Sequence, residues 1–115
     1  MPVLVAGASG GLGPSVVAEL EASGYEVATP RVDLTDAEAA ANAVADVEDL
    51  EAVVNLVGMF RSGTKVHETD PEDFARVITV NLVPGFNLAR AAMPRLVERG
   101  GGAYVGVSAR HALRP

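Results

Sequence analysis

Four glycines fall within seven residues near the start of the chain, in Gly7-Ala8-Ser9-Gly10-Gly11-Leu12-Gly13. Glycines spaced in this way let a backbone turn tightly and come close to a pyrophosphate. A helix that follows offers free N–H groups and the positive end of its dipole to the anion. The spacing is G-x3-G-x-G rather than the commoner G-x-G-x-x-G. A tight strand-to-helix turn with no ligand is the plain alternative. No lysine follows the glycines, so the phosphate loop of nucleoside triphosphatases does not fit. Gly7-x-Ser9-x-Gly11 also matches the G-x-S-x-G nucleophile elbow. A serine hydrolase built on Ser9 is therefore a remote alternative, remote because only six residues precede the motif.

Other residues extend the same chemistry. Asp33 stands 20 positions after Gly13, a spacing that suits a carboxylate reaching a bound nucleotide; a turn or cap residue is its plain role. Arg31 sits where a cation could meet a 2′-phosphate, and no acid lies nearer the end of the second strand. That tilts the expectation slightly toward NADP, against a solvated arginine. Asn55 and Asn81 are poor propensity choices for a strand end and a helix interior. Buried asparagines need partners, so a structural hydrogen-bond role is the plain reading of each. His67 and His111 are the only histidines. They are far apart and lack a ligand-spaced partner, so no metal site is expected.

These residues need elements to hold them. Pro2 to Ala6 reads as a buried strand. Gly11 to Ser23 reads as a helix, with apolar Leu12, Val16, Val17 and Leu20 on one face and Gly24 as its stop. Tyr25 to Thr29 reads as a second strand and Arg31 to Leu34 as a very short third. Asp36 caps an alanine-rich helix to Val47. Glu51 to Leu56 is a fourth strand, and a polar loop covers 59 to 69. Asp70 and Pro71 open a long helix to Arg99, favoured by the acids of its first turn. Pro84-Gly85 and Pro94 predict kinks in it. Leu88, Ala92 and Leu96 form a candidate core stripe. Ala103 to Ser108 is a fifth strand. Strand and helix alternate, which predicts a parallel sheet covered by helices.

Composition narrows the class. The chain has 115 residues, 49% hydrophobic and 21% charged, an ordinary globular balance. With no cysteine, disulfides and thiolate metal sites are absent, and a cytoplasmic location is expected. The formal net charge of -6 argues against nucleic acid as a partner. The longest apolar run, Ala52 to Phe60, is broken by Asn55 and Gly58 and is far shorter than the roughly 20 residues a membrane helix needs. No membrane partner is expected.

The motifs resemble those of the short-chain dehydrogenase/reductase family, in order along the whole chain. Ala6-Gly7-x-x-x-Gly11-Leu12-Gly13 resembles T-G-x-x-x-G-x-G, with Ala6 for threonine. Val32-Asp33-Leu34-Thr35-Asp36 resembles the D-V/L-T-D stretch, whose first aspartate contacts adenine. Asn55-Leu56-Val57-Gly58 resembles N-N-A-G, with two positions altered. Val80-Asn81-Leu82 resembles the V-N-L segment, whose asparagine is structural and organises a proton-relay water. Gly101 to Ser108 resembles the strand that ends in the catalytic serine. Gly7, Gly10 and Gly13 also fit the G-x-x-G-x-x-G of the family's extended branch.

The resemblance implies a Rossmann-type doubly wound parallel sheet in a three-layer α/β/α sandwich, truncated, with strand order 3-2-1-4-5. Residues 1–115 would form one partial NAD(P)-binding domain of an oxidoreductase that moves hydride to or from a small carbonyl or alcohol substrate. Gly7, Ser9, Gly10, Gly11, Leu12, Gly13, Arg31, Asp33, Leu34, Asn55 and Gly58 would hold NAD(P); Asn81 and Ser108 would serve catalysis. The family often ends its fifth strand in two serines, the second catalytic, and here the pair is Ser108-Ala109. The usual helix between strands two and three is missing or reduced. The Tyr-x-x-x-Lys pair is not among these residues, so the chain alone is expected to be inactive. A fifth strand left as a bare edge predicts poor stability as a monomer. The long helix implies a homo-oligomer. A non-catalytic nucleotide-binding or interaction domain is the alternative of another class.

Overall fold

A computed structural model describes residues 1–60 and 63–109 of the chain. Four parallel strands form one sheet: β1 Pro2–Ala6, β2 Glu26–Ala28, β3 Ala52–Asn55 and β4 Ala103–Gly106, in the order β2-β1-β3-β4. Three helices connect them: α1 Gly13–Ala22, α2 Ala37–Ala45 and α3 Pro71–Glu98. Val3 pairs with both Val27 and Ala52, and Asn55 pairs with both Ala6 and Gly106. The carboxyl ends of β1, β3 and β4 therefore align at one edge of the sheet.

The expected α/β layering holds, with one correction. Arg31 to Leu34 is not a strand, so the order lacks its first member and β2 is an edge. The reason is local. Pro30 has no N–H to give to a ladder. Just beyond, the Asp33 carbonyl accepts from the Asp36 amide at 3.1 Å, and the Asp33 carboxylate takes the Thr35 amide and hydroxyl. Short polar side chains offer this segment a turn in place of a ladder.

Helix ends follow their sequence signals. Asp36 Oδ1 accepts from the amides of Glu38 and Ala39 at 2.9 and 3.2 Å. Asp70 Oδ1 accepts from Glu72 at 2.9 Å. Each cap stabilises its helix by about 1 kcal/mol. One helix, Pro71–Glu98, passes through both Pro84 and Pro94. A 3-10 turn, Val66–Glu68, lies in the loop before it.

The main core lies between the sheet and the α2–α3 layer. Leu4, Leu50, Leu88, Val44 and Val53 are fully buried there, with Ala92 and Leu96 beside them. Each large apolar side chain stabilises the fold by roughly 1.5–3 kcal/mol. Leu88, Ala92 and Leu96 are the core stripe that the four-residue spacing predicts. Arg95 of α3 closes the layer from outside. Its guanidinium donates to the carbonyls of Val44, in the last turn of α2, and Val47, just beyond it, at the negative end of that helix. At the far edge β4 pairs, among the described residues, with β3 alone, and Val105 within it and Val107 just past it are exposed.

Candidate functional site: a cleft at the carboxyl ends of the strands

The glycine loop links β1 to α1 and closes on itself. The Gly10 amide donates to the Gly7 carbonyl at 3.1 Å, and the Gly13 amide to the Gly10 carbonyl at 3.3 Å. Gly7 has a φ of +79°, and a Cβ there would stand 2.8 Å from the backbone between Leu56 and Val57. No other residue meets both demands. Gly13 is buried, and its Cβ would lie 1.9 Å from the Ala8 carbonyl oxygen. This glycine lets the first turn of α1 press against the loop. Gly11 differs: a Cβ there would meet nothing within 4 Å. Its lack of a side chain serves no contact within the fold. Gly10, Gly11, Leu12 and Ser9 are exposed.

α1 begins without a side-chain cap, with Leu12 at the capping position, whereas α2 and α3 are capped by aspartates. In its first turn the Gly13 amide is taken by the Gly10 carbonyl and Pro14 has no N–H, which leaves the Ser15 amide to a ligand or to water. Beside it opens a cleft of about 760 Å³. Gly7 and Ser9 line it from the glycine loop; Arg31, Asp33 and Leu34 form a second wall from the segment after β2; Val80 and Pro84 of α3 also contribute. Five of the residues singled out in the sequence therefore meet in one place.

Asp33 is exposed and held. Thr35 donates to its Oδ1 from both amide, at 3.0 Å, and hydroxyl, at 2.5 Å. The hydroxyl bond, then the amide bond, lowers the Asp33 pKa below the ordinary carboxylate value. Arg31 is exposed and has no ion pair among the described residues. Leu34 enters the cleft wall by its backbone, for its side chain is buried in the core.

The remaining expected residues do not line the cleft. Asn55, at the end of β3, accepts from the Val57 amide at 3.0 Å, shaping the chain as it leaves the sheet. Asn81 clamps the β3–α3 connection: its Oδ1 accepts from the Met59 amide at 3.0 Å, and its Nδ2 donates to the Met59 and Val77 carbonyls at 3.0 and 2.9 Å. Gly58 leaves room for that clamp, since a Cβ there would come within 2.8 Å of Asn81 Oδ1. Ser108 is exposed, two residues past β4. His67 lies exposed with its Nε2 3.8 Å from Glu68, and His111 lies outside the described residues. Among the described residues no three acids or histidines gather as metal ligands, and no helix is long and apolar enough to cross a membrane.

Two further side chains were not singled out as site residues in the sequence. Asn87 is buried, with its Nδ2 donating to the Leu34 carbonyl at 2.9 Å. Tyr104 of β4 donates its hydroxyl to the Gly85 carbonyl at 3.0 Å. Burial raises the Tyr104 pKa, and a hydrogen bond with Asn55 partly offsets this. A mid-helix asparagine beside a leucine was the available hint of the first.

Comparison with known proteins agrees with this arrangement. The chain is 32% identical over 80 residues to a 3-dehydrosphinganine reductase of Arabidopsis thaliana, covering 70% of this chain and 24% of the reductase. It is 33% identical over 95 residues to the 2,3-dihydro-2,3-dihydroxybenzoate dehydrogenase of Escherichia coli K12, covering 79% of this chain and 38% of that enzyme. The solved structure of ElxO with NADP bound superposes with a TM-score of 0.89 at 22% identity, over 97% of this chain and 56% of ElxO. The chain thus spans between about a quarter and a little over half the length of these proteins. The family model described as short chain dehydrogenase matches residues 15–115, and the chain belongs to that family.

Proposed function

We propose that the cleft binds NAD(P), and that the chain is the cofactor-binding portion of an oxidoreductase moving hydride between the nicotinamide and a small carbonyl or alcohol substrate. The observation that carries this reading is Gly11, a glycine the fold does not require, set at the uncapped N-terminus of α1. Open backbone at the positive end of the helix dipole suits a pyrophosphate. Gly7, Ser9, Gly10, Leu12 and Gly13 would shape that anion site. Asp33 and the Leu34 backbone would meet the adenosine end. Asn55 and Gly58 would hold the chain beneath the nicotinamide end. ElxO, of the same fold, holds NADP.

Arg31 gives NADP a slight preference, because an unpaired guanidinium can hold a 2′-phosphate by charge-assisted bonds. Asn81 would act in catalysis through the loop it clamps, and Ser108 would face the substrate oxygen. The chain would work as a homo-oligomer through α3, where Phe74, Ile78, Leu82 and Phe86 stand exposed at four-residue intervals. A cytoplasmic location completes the reading.

Calorimetric titration of the chain with NADP+ and NAD+, beside Gly11→Val, tests it. The wild type is expected to bind, and the folded variant to lose at least about tenfold in affinity, as expected when a ligand's close approach is blocked. Equal binding by a folded Gly11→Val would refute the assigned loop.

A further inference from the structure

The wall that carries Arg31 and Asp33 has an unusual support. It belongs to no strand, and β2 stops at Ala28. Between Thr29 and Asp36 the backbone has one bond of its own, from the Asp36 amide to the Asp33 carbonyl. A loop with so few ladder bonds is free to drift unless side chains fix it. Two anchors do so here. Leu34 sinks its side chain into the core, 6% exposed. Its carbonyl, on the same residue, accepts from the Nδ2 of Asn87 across 53 positions of sequence, at 2.9 Å.

Asn87 is the one buried polar residue in the core of the described chain, 6% exposed. A buried amide is costly unless bonded, and its partner carbonyl is equally costly to strand. The pair is therefore either made in full or paid for in stability. Asn87 also lies on the face of α3 that carries Val80 and Pro84, spaced by seven and three residues, and both of these line the cleft. The same helix face thus supplies one wall and sets the height of the other.

We propose that Asn87 is a positioning residue for nucleotide affinity: it holds the Arg31–Asp33 wall at its distance from the glycine loop, in place of the absent strand. The proposal rests on the reading of the cleft as an NAD(P) site. It assigns the effect to the adenosine half of the ligand, since only that half would meet this wall.

The test joins two measurements on the full chain. Titration with NADP+ and with 2′,5′-ADP is expected to show Asn87→Ala weakening both by about tenfold, the equivalent of one stranded buried acceptor. A loss for NADP+ alone, with 2′,5′-ADP unaffected, overturns the proposal. Amide hydrogen exchange is expected to quicken in Asn87→Ala at residues 31–36 while β1 and β3 stay protected. Uniform quickening would mean a purely structural role and overturn it. Where the wild type binds no nucleotide, the reading of the cleft fails, and the exchange measurement still decides whether Asn87 fixes the wall. Should Asn87→Ala not fold, the wild-type side-chain amide protons decide the point. Those of Asn87 should exchange far more slowly than those of exposed Asn42, and equal rates refute the bond.

Discussion

Tyr104 on the edge strand β4 and Gly85 in α3 are joined by a hydrogen bond of 3.0 Å from the tyrosine hydroxyl to the glycine carbonyl. The absence of a side chain at Gly85 makes room for the neighbouring Asn55 amide rather than for the tyrosine. A Cβ there would stand 3.2 Å from Asn55 Nδ2 and 3.8 Å from the Tyr104 hydroxyl. Strand ends β3 and β4 are thereby tied to one turn of α3. Tyr104→Phe is expected to destabilise the chain by about 1 kcal/mol, measured by urea unfolding at pH 7.

The same tyrosine sets an alkaline limit. Burial raises its pKa above the ordinary 10.0, so the folded state holds the phenolic proton more tightly than the unfolded chain. That contribution is complete below about pH 10 and is lost as pH climbs from there through the raised value. Wild type should therefore lose stability above pH 10 more steeply than Tyr104→Phe. Parallel pH profiles for the two proteins would contradict the assignment.

Gly13 and Gly11 should separate sharply. Gly13→Val drives a side chain into the Ala8 backbone and is expected to cost more than about 3 kcal/mol. That is enough to unfold a chain of ordinary stability, about 5–15 kcal/mol, in part of the population. Gly11→Val meets open space and should keep the wild-type melting curve. Circular dichroism of both variants reads the contrast without any ligand.

Arg31→Ala should weaken NADP+ by about tenfold or more while leaving NAD+ within about twofold, as expected for loss of charge-assisted bonds to a phosphate. Added salt should narrow the difference, because the guanidinium is exposed. Equal losses for both cofactors would remove Arg31 from the site.

Thr35 favours the charged form of the Asp33 carboxylate. Its hydroxyl bond is the larger cause of the lowered pKa and its amide bond the smaller. Thr35→Ala removes the first and keeps the second. The Asp33 pKa should rise toward 3.8 without reaching it, read by carboxyl-carbon NMR titration. A lowered pKa gives stability that is present above the unfolded value and lost as pH falls through the folded one. The variant should therefore differ from wild type less as pH falls through and below 3.8 than at neutral pH.

Much of this molecule was legible as a string of residues. The Pro2–Ala6 strand, the aspartate caps at 36 and 70 and the Leu88–Ala92–Leu96 stripe are each marked by a residue pattern within a few positions, and those need only local sequence to be foreseen. The family motifs were legible for the same reason: each lies within one turn or one strand end. What the tertiary structure decided depends on partners far apart in the chain. Arg31 to Leu34 looked like a strand, yet local turn bonds beyond Pro30 outweighed a ladder that the three-residue β2 could not support. Gly13 and Gly11 look alike in sequence. Only packing reveals that one yields to the Ala8 backbone and the other to nothing in the chain. No motif foretold the bonds of Asn87 and Tyr104, because their meaning lies in carbonyls 53 and 19 positions away. Those carbonyls become partners only when helix and sheet are pressed together by the burial of the core.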